Sequence, residues 1–455
     1  MARPADLLVA GAELVVTMDD ERREIQGGWV AITDGLVSGV GAPGDEPAAE
    51  RRIDARGCLV TPGLVNAHHH IYQNLTRAYR PATKGTLFQW LTTLYPLWSR
   101  LDAEAVHVAA WIGFAELALG GCTTTMDHHY VHPRGGGDLI TAQIEAALDF
   151  GMRFHATRGS MSLSEKDGGL PPDSVVQDDD EILADSERLV RRHHDRSPDA
   201  MVQVALAPCS PFTVTPELMR RTAELAESLD VRLHTHLAED PDEDTFCLER
   251  FGVRPIDYFE DVGWGTSRAW VAHCVHPNAE EIQRLGQWGT AVAHCPSSNM
   301  LLGVGLCPVR ELREAGVPVG LGCDGSSSVD SASLWQESRN AMLQARLRHG
   351  PASAGARDAL ELATRGGAAC LGRQGQIGEL RVGACGDVAV WPLGGVLFAG
   401  ALTDPVEAWL RCGPVAARDT VVAGRVIVEN GRIVSPRLDD MLAAHRRTAA
   451  RIQGL

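Results

Sequence analysis

The feature that most constrains the fold is a repeat of short apolar runs in the middle of the chain. Each run is followed by polar residues and then by a longer stretch with helical spacing, such as "PELMRRTAELAESL". Strands that are buried on both faces read as apolar runs rather than as alternating patterns. Eight such units predict a (β/α)8 barrel of the TIM type, with its active site at the carboxyl ends of the strands. The eight runs are, in order, "TPGLVNA", "GCTTTMD", "MRFHATR", "VQVALAP", "VRLHTHL", "RAWVAHC", "TAVAHCP" and "PVGLGCD".

The two ends of the chain have a different sequence pattern, which is typical of β-strands. Short alternating segments are separated by Gly- and Asp-containing turns, and "ENGR" near the end is a strong hairpin signal. A barrel takes about 250 residues, which leaves room for a second module. The sequence therefore predicts an α/β protein with a catalytic barrel over 61–377. A small β-sandwich domain is predicted from 1–60 plus 378–455, ending in a helix over Leu438 to Ile452.

Charge and cysteine usage limit the function classes. The net charge is −17, which disfavours a nucleic-acid polymer as partner because phosphate binding needs clustered Lys and Arg. Eleven cysteines without a C-x-x-C pair indicate reduced thiols. No stretch approaches the roughly 18 apolar residues of a membrane span, and the N-terminus lacks signal-peptide features. We expect a soluble, cytoplasmic homo-oligomer that acts on a small molecule.

The predicted barrel strands end in residues that can hold a metal ion. The first ends in "NAHHH", and because strand side chains alternate faces, His68 and His70 point the same way. The fifth ends in "HTHLAE", which places His236 near the open end and Glu239 where the chain leaves the strand. The eighth ends in "GLGCDG", which places Asp324 at the rim.

A single histidine at such a place is more often a satisfied core or loop residue than a ligand. The combination is more specific, because His68, His70, His236 and Asp324 form a three-nitrogen, one-oxygen set suited to zinc or ferrous iron. His273, from the end of the sixth strand, and Glu239 then remain for proton transfer.

Weaker signals surround this set. Gln73, Arg77 and Trp90 lie in the long segment after the first strand, where substrate contacts often occur. Asn299 follows the seventh strand and is a hydrogen-bonding contact or a turn cap. Structural roles are predicted for three further histidines and for a buried thiol near the fourth strand: His128, His129, His234 and Cys209.

The motifs "PGLVNAHHH", "HTHLAE", "VAHC" and "GLGCDG" resemble the metal-site motifs of the amidohydrolase superfamily, over nearly the whole chain. The pattern is similar to its mononuclear deaminases of purines, pterins and s-triazines. Further segments resemble the members that act on 8-oxoguanine: "HHHIYQNLTRAY", "LYPLW", "RGSMSLSEKDGGLPP", "LAPCSPFTVT" and "CLERFGVRPIDY".

The resemblance implies one divalent ion, zinc or iron, held by the four ligands above. Lys84 and Lys166 are the only lysines, and neither stands at a strand end where binuclear relatives carry a bridging lysine. Glu239, His273 and Asp324 match the proton-handling residues, and Gln73 matches the ring-binding glutamine. Val329 replaces a residue that is usually polar in relatives, and Cys209 stands where guanine deaminases have an arginine.

The implied reaction is hydrolytic release of ammonia from an amino-substituted purine-type ring, with 8-oxoguanine giving urate. The alternatives on the same scaffold are s-triazine, pterin, guanine or isocytosine aminohydrolysis, and a binuclear amide hydrolase. A non-catalytic barrel protein is the alternative from another class. It would be expected to lose ligand residues, which this chain retains.

Overall fold

The chain begins with short strands joined by tight turns in the computed structural model, which describes residues 3–455; Met1 and Ala2 of the predicted small module lie outside the described residues. Asp34 and Gly35 both have positive φ, 51° and 77°, as a two-residue hairpin turn requires. They join the fourth and fifth strands. The strands are β1 (Ala5–Ala10), β2 (Leu14–Val16), β3 (Glu24–Ile25), β4 (Trp29–Thr33), β5 (Leu36–Gly41), β6 (Ala49–Asp54) and β7 (Cys58–Pro62).

The barrel strands follow and are parallel throughout. They are β8 (Leu64–Asn66), β9 (His69–His70), β10 (Cys122–Asp127), β11 (Arg153–Ser160), β12 (Val202–Pro208), β13 (Leu233–Leu237), β14 (Ala269–His273), β15 (Ala291–His294), β16 (Val319–Leu321) and β17 (Asp324–Gly325). Eight of them form one sheet in chain order from β8 through β10 to β16.

The short pair β9 and β17 closes the ring, together with a hydrogen bond from the Ala67 amide to the Leu321 carbonyl of 2.9 Å. The predicted (β/α)8 barrel is confirmed.

Helices cover the outside of the barrel. They are α1 (Leu87–Trp98), α2 (Ala103–Leu119), α3 (Leu139–Phe150), α4 (Asp179–His193), α5 (Pro216–Leu229), α6 (Pro241–Phe251), α7 (Pro255–Asp261), α8 (Ala279–Trp288), α9 (Pro296–Leu302), α10 (Val309–Glu314), α11 (Leu334–His349), α12 (Ala356–Glu361) and α13 (Gly367–Cys370). Short 3₁₀ helices span Ile71–Thr76, Arg80–Ala82 and Glu165–Asp167, and a π-helical turn spans Leu362–Gly366.

Local sequence explains where these helices begin. Before α8, for example, the Asn278 side chain accepts the amide of Glu281 while the Glu281 side chain accepts the amide of Asn278. This capping box satisfies two amides that have no partner within a helix. In the described part of the chain, no helix has both the length and the apolar character needed to cross a membrane.

The chain end returns to the small module. It forms β18 (Val388–Pro392), a 3₁₀ turn at Val396–Phe398, α14 (Pro405–Arg411), β19 (Asp419–Val422), β20 (Arg425–Glu429), β21 (Arg432–Ile433) and α15 (Leu438–Gln453). A seven-stranded sheet has the order β21-β20-β19-β18-β7-β2-β3, so it combines both chain ends. The second sheet has the order β5-β4-β1-β6 and comes from the N-terminal end alone.

The predicted pairing of the two ends is confirmed, whereas the boundaries at 60 and 378 stay predictions. The final helix α15 packs on the barrel side, where His445 Nε2 lies 2.8 Å from Asn74 Oδ1. Arg153 of β11 joins the barrel to the small module through a buried two-point ion pair with Asp387, at 2.9 and 3.0 Å.

Candidate metal centre and active site

The strand ends bring together the residues that the sequence predicted as metal ligands. We call His68, His70, His236 and Asp324 the ligand cluster. Asp324 Oδ1 lies 3.3 Å from the Nε2 atoms of both His68 and His70, and His70 Nε2 lies 3.0 Å from His236 Nε2. Two overlapping groups have ligand atoms within 4.8 Å of one another: His68, His70, His128 and His236, and His68, His236, His273 and Asp324.

The hydrogen bonds of the three imidazoles fix their tautomers. His70 Nδ1 faces the His128 carbonyl at 2.8 Å, and His236 Nδ1 faces the Cys209 carbonyl at 2.7 Å. A carbonyl oxygen only accepts, so each Nδ1 carries the hydrogen and each Nε2 bears a lone pair.

His68 reaches the same state through a second imidazole. His234 Nδ1 donates to the Trp270 carbonyl at 2.9 Å, so its Nε2 accepts from His68 Nδ1 at 2.8 Å. His68 Nε2 is then a lone pair, buried and without a hydrogen-bond partner among the residues described. His234, predicted as a wall residue, therefore orients a member of the ligand cluster.

This arrangement fits a cation. Three imidazole lone pairs and a carboxylate oxygen point at one small region, and the lone pairs of His70 and His236 face each other at 3.0 Å. Such groups repel one another unless a positive centre lies between them. Burial lowers the pKa of all three imidazoles, which favours the neutral form that binds metals. The site can therefore hold a divalent metal ion.

Two candidate proton-transfer groups lie beside the ligand cluster. His273 Nε2 is 3.6 Å from Glu239 Oε1 and 3.9 Å from Asp324 Oδ2. Burial raises the pKa of Glu239 well above its usual value, and the like charge of Asp324 adds to this. A carboxyl group of this kind can hold a proton near neutral pH and donate it.

The backbone at these strand ends is strained. His273, Asp324 and Ala238, which precedes Glu239, have φ of 70°, 56° and 51°. Residues other than glycine adopt such angles at a cost of order 1–3 kcal/mol each, and they are concentrated at functional sites. The three residues lie at the ends of the fifth, sixth and eighth barrel strands, beside the ligand cluster.

A chamber of about 30 Å³ opens beside the ligand cluster. It is lined by His70, Leu87, Trp90, Leu91, Tyr130, Cys209, Phe212, His236, Glu239, His273, Leu302, Asp324 and Ser328. We call Leu87, Trp90, Leu91 and Leu302 the roof; they come from α1 and the end of α9. Roof residues other than Trp90 were missed from the sequence, because the helical spacing of "LFQWL" shows an apolar face but not what it covers.

The predicted substrate contacts take different places. Trp90 lines the chamber, and its Nε1 donates to the Ser327 carbonyl at 3.2 Å. Gln73 is fully buried behind Gly325, and a Cβ on that glycine would lie 2.0 Å from Gln73 Oε1. Gln73 Nε2 has no hydrogen-bond partner in the described part of the protein.

Gln73 is not part of the chamber lining, and neither are the other two predicted contacts, Asn299 and Arg77. Asn299 Oδ1 lies 3.0 Å from His273 Nδ1. Arg77 pairs with Glu116 of α2 instead, so the geometry gives no support to the predicted substrate contact of Arg77.

His128, predicted as structural, is closer to the chemistry than expected. It stacks on His236 with ring centroids 4.7 Å apart. Its Nε2 donates to the Ala207 carbonyl at 2.9 Å, so its Nδ1 is a lone pair near the ligand cluster. The run "DHHY" at the end of the second barrel strand was the available signal.

A larger cavity of about 360 Å³ lies between α10, α11 and α12. Its arginines are paired with carboxylates, as in Arg310 with Glu314 at 2.8 Å and Arg348 with Glu311 at 3.1 Å. The ligand cluster and Glu239 do not face it, so size alone does not locate the active site.

Comparison with known proteins agrees with this geometry. The model of the amidohydrolase family matches residues 59–427. The chain is 49% identical over 425 residues to 8-oxoguanine deaminase of Pseudomonas aeruginosa, covering 93% of this chain and 94% of the relative. It is 37% identical over 452 residues to hydroxydechloroatrazine ethylaminohydrolase of Pseudomonas sp. strain ADP, covering 95% and 92%.

Among solved structures, atrazine chlorohydrolase of Arthrobacter aurescens complexed with zinc superposes with a TM-score of 0.93 at 35% identity, covering 97% of this chain and 100% of that one. The resemblance predicted from the sequence is confirmed. The chain belongs to the amidohydrolase family.

Proposed function

We propose that this protein is a hydrolytic deaminase that converts 8-oxoguanine to urate and ammonia. The convergence of three imidazole lone pairs and a carboxylate beside Glu239 and His273 carries the proposal. The predicted enzyme class, a metal-dependent hydrolase of carbon–nitrogen bonds, is confirmed by the family. The purine substrate is supported by the 49% identity to 8-oxoguanine deaminase.

The proposed cofactor is one zinc ion per chain, held by the ligand cluster. Nitrogen and oxygen donors suit zinc, and a zinc complex of a relative with the same fold supports this choice. The same donors also suit ferrous iron. When bound, a divalent ion lowers the pKa of water from 15.7 to about 7 and so makes a nucleophile available.

The chain's own residues then handle the protons. His273 Nε2 and Asp324 take the proton of the attacking water and orient its oxygen toward the ring carbon that bears the amino group. Glu239 protonates the ring nitrogen next to that carbon, which removes aromaticity and stabilises the tetrahedral adduct. The carbon–nitrogen bond breaks and ammonia leaves with the proton first taken from water, delivered through Asp324 or Glu239, while the hydroxyl proton of the adduct returns to Glu239 as the carbonyl forms.

The chamber walls suit a flat ring. The roof and Phe212 are apolar and the polar residues lie on the metal side, so a planar heterocycle can lie between them with its amino carbon near Glu239. A space of about 30 Å³ is smaller than a bicyclic ring, and the proposal therefore includes a displacement of the roof when substrate enters. We propose that Gln73 Nε2, which is buried without a partner, contacts the ring.

Further parts of the proposal concern the setting. We propose a cytoplasmic homo-oligomer that acts in purine breakdown on a small-molecule substrate. Free and mostly buried cysteines support a reducing compartment. Exposed apolar side chains at Val396, Leu397 and Leu402 support a contact between subunits.

A panel assay of ammonia release tests the substrate. The zinc-loaded protein is assayed with 8-oxoguanine, guanine, isocytosine, a pterin and an amino-substituted s-triazine. We expect the highest kcat/KM with 8-oxoguanine. A higher value with the triazine would instead favour the second candidate, which is supported by the likeness to the ethylaminohydrolase and to the atrazine enzyme.

A further inference from the structure

His273 is held from the side that faces away from the chamber. Its Nδ1 lies 3.0 Å from Asn299 Oδ1, and both residues are only 1% exposed. Its Nε2 faces Glu239 and Asp324. We propose that Asn299 is a positioning residue, which fixes both the tautomer and the direction of the His273 imidazole. The inference rests on the proposed function, because it assigns Nε2 of His273 the proton of the attacking water.

The chemistry of the amide decides the tautomer. An amide oxygen only accepts hydrogen bonds, so His273 Nδ1 carries the hydrogen and Nε2 bears the lone pair. This is the one neutral form in which Nε2 accepts a proton on the chamber side. In the opposite tautomer the hydrogen would be on Nε2 and would point at the two carboxyl groups. Nε2 would then have no lone pair with which to accept a proton from water.

The direction of the ring needs the same support. His273 has a φ of 70°, so its backbone departs from regular strand geometry. The Nδ1 atom of His273 forms its hydrogen bond with Asn299 Oδ1. Without it the imidazole can rotate about its side-chain bonds, and the separations of 3.6 Å to Glu239 and 3.9 Å to Asp324 are no longer enforced.

The first turn of α9, which carries Asn299, is held against α11, while Asn299 Nδ2 has no hydrogen-bond partner among the described residues. The Ser297 amide donates to Glu337 Oε2 at 2.9 Å, and Gln344 Nε2 donates to the Pro296 carbonyl at 3.0 Å. Both partners lie on α11, which is anchored on the outside of the barrel. Helix α9 therefore connects α11 to the His273 imidazole. Asn299 does not line the chamber, so it acts through His273 rather than on the substrate.

Two variants of the zinc-loaded protein separate positioning from packing. Asn299→Leu keeps the approximate shape but removes the acceptor, and Asn299→Asp keeps an acceptor. We expect Asn299→Leu to lower kcat by about 10- to 100-fold, because His273 Nδ1–H becomes a buried donor without an acceptor. KM should change by less than about twofold. Metal content stays at the parent value, and Asn299→Asp recovers most of kcat. Met300→Leu, an exposed change on the same helix, is the control and leaves kcat unchanged.

A crystal structure of the zinc-loaded Asn299→Leu variant gives a readout that does not depend on turnover. We expect the His273 ring to leave its place between Glu239 and Asp324. An unchanged ring, a kcat within about twofold of the parent, or an Asn299→Asp variant as impaired as Asn299→Leu would each overturn the proposal. If the parent hydrolyses no ring of the panel, the proposed function fails, while the ring position still decides the role of Asn299.

Discussion

The ligand cluster and the roof lie on opposite sides of one chamber and are held by different forces. Each imidazole of the ligand cluster has its Nδ1 bonded to a carbonyl or to His234, at 2.7 to 2.8 Å. The roof is apolar, and among residues 3–455 its one side-chain hydrogen bond runs from Trp90 Nε1 to the Ser327 carbonyl at 3.2 Å. We therefore propose that directional bonds at the strand ends determine the reaction, and that the shape of a separate apolar layer determines substrate selection.

Removing a member of the ligand cluster should have the largest effect on activity, because the directional bonds of the site hold that cluster. We expect His68→Ala to lose its metal ion and to fall to the rate of the uncatalysed reaction. Elemental analysis of the purified protein and the ammonia assay measure this. His107→Ala is the control, since that half-buried imidazole bonds the Ala142 carbonyl on the outside of the barrel. Stoichiometric metal in His68→Ala would show that the site is misplaced.

Glu239→Gln should separate chemistry from metal binding. The amide keeps the size of the side chain but cannot donate the carboxyl proton, so we expect kcat to fall by about 10²- to 10⁴-fold. Metal content should equal that of the parent. Glu249→Gln is the matched control, because it makes the same substitution at an exposed position of α6 that does not line the chamber. Full activity of Glu239→Gln would remove Glu239 from the mechanism.

The sequence predicted the ligand cluster because its geometry is a property of the whole fold. Parallel strands end on one face of a barrel, so His68, His236 and Asp324 must converge there whatever the loops do. The link from His234 to His68 was not predictable. It depends on how deep in the barrel two residues lie that are 166 positions apart in the chain. The two-residue alternation of a strand predicts which face a side chain is on, but not its depth along the barrel axis.

The roof and the helix contacts were less predictable for a related reason. An apolar stripe on α1 or α15 shows that a partner exists, but the partner is chosen by the path of the connecting loops. Arg77 illustrates this, since the 3₁₀ turn over Ile71–Thr76 leaves it beside Glu116 rather than in the chamber. Asn299 was predicted as a hydrogen-bonding contact or a turn cap, and the packing of α9 places its amide against His273.

His234→Leu tests whether the directional network extends beyond the ligands. The change removes the acceptor of His68 Nδ1–H, and loss of such a partner typically lowers metal affinity by about 10- to 100-fold. Competition with a chelator measures the affinity. His155→Leu is a matched control, because His155 also packs against Trp270 but does not bond to His68. Equal metal affinities in the two variants would restrict the network to the ligands.

Trp90→Phe should have the smallest effect and should change selection rather than chemistry. Phenylalanine keeps an aromatic surface over the chamber but loses the donor to the Ser327 carbonyl. A net hydrogen bond of about 1 kcal/mol corresponds to roughly a fivefold change, so we expect KM to rise by a few-fold, and the ratio of kcat/KM between 8-oxoguanine and the triazine to shift. Metal content should not change. Met300→Leu, an exposed change on α9, is again the control. A fall in metal content with Trp90→Phe would mean that the roof and the ligand cluster are one coupled unit, and the division between reaction and selection would not hold.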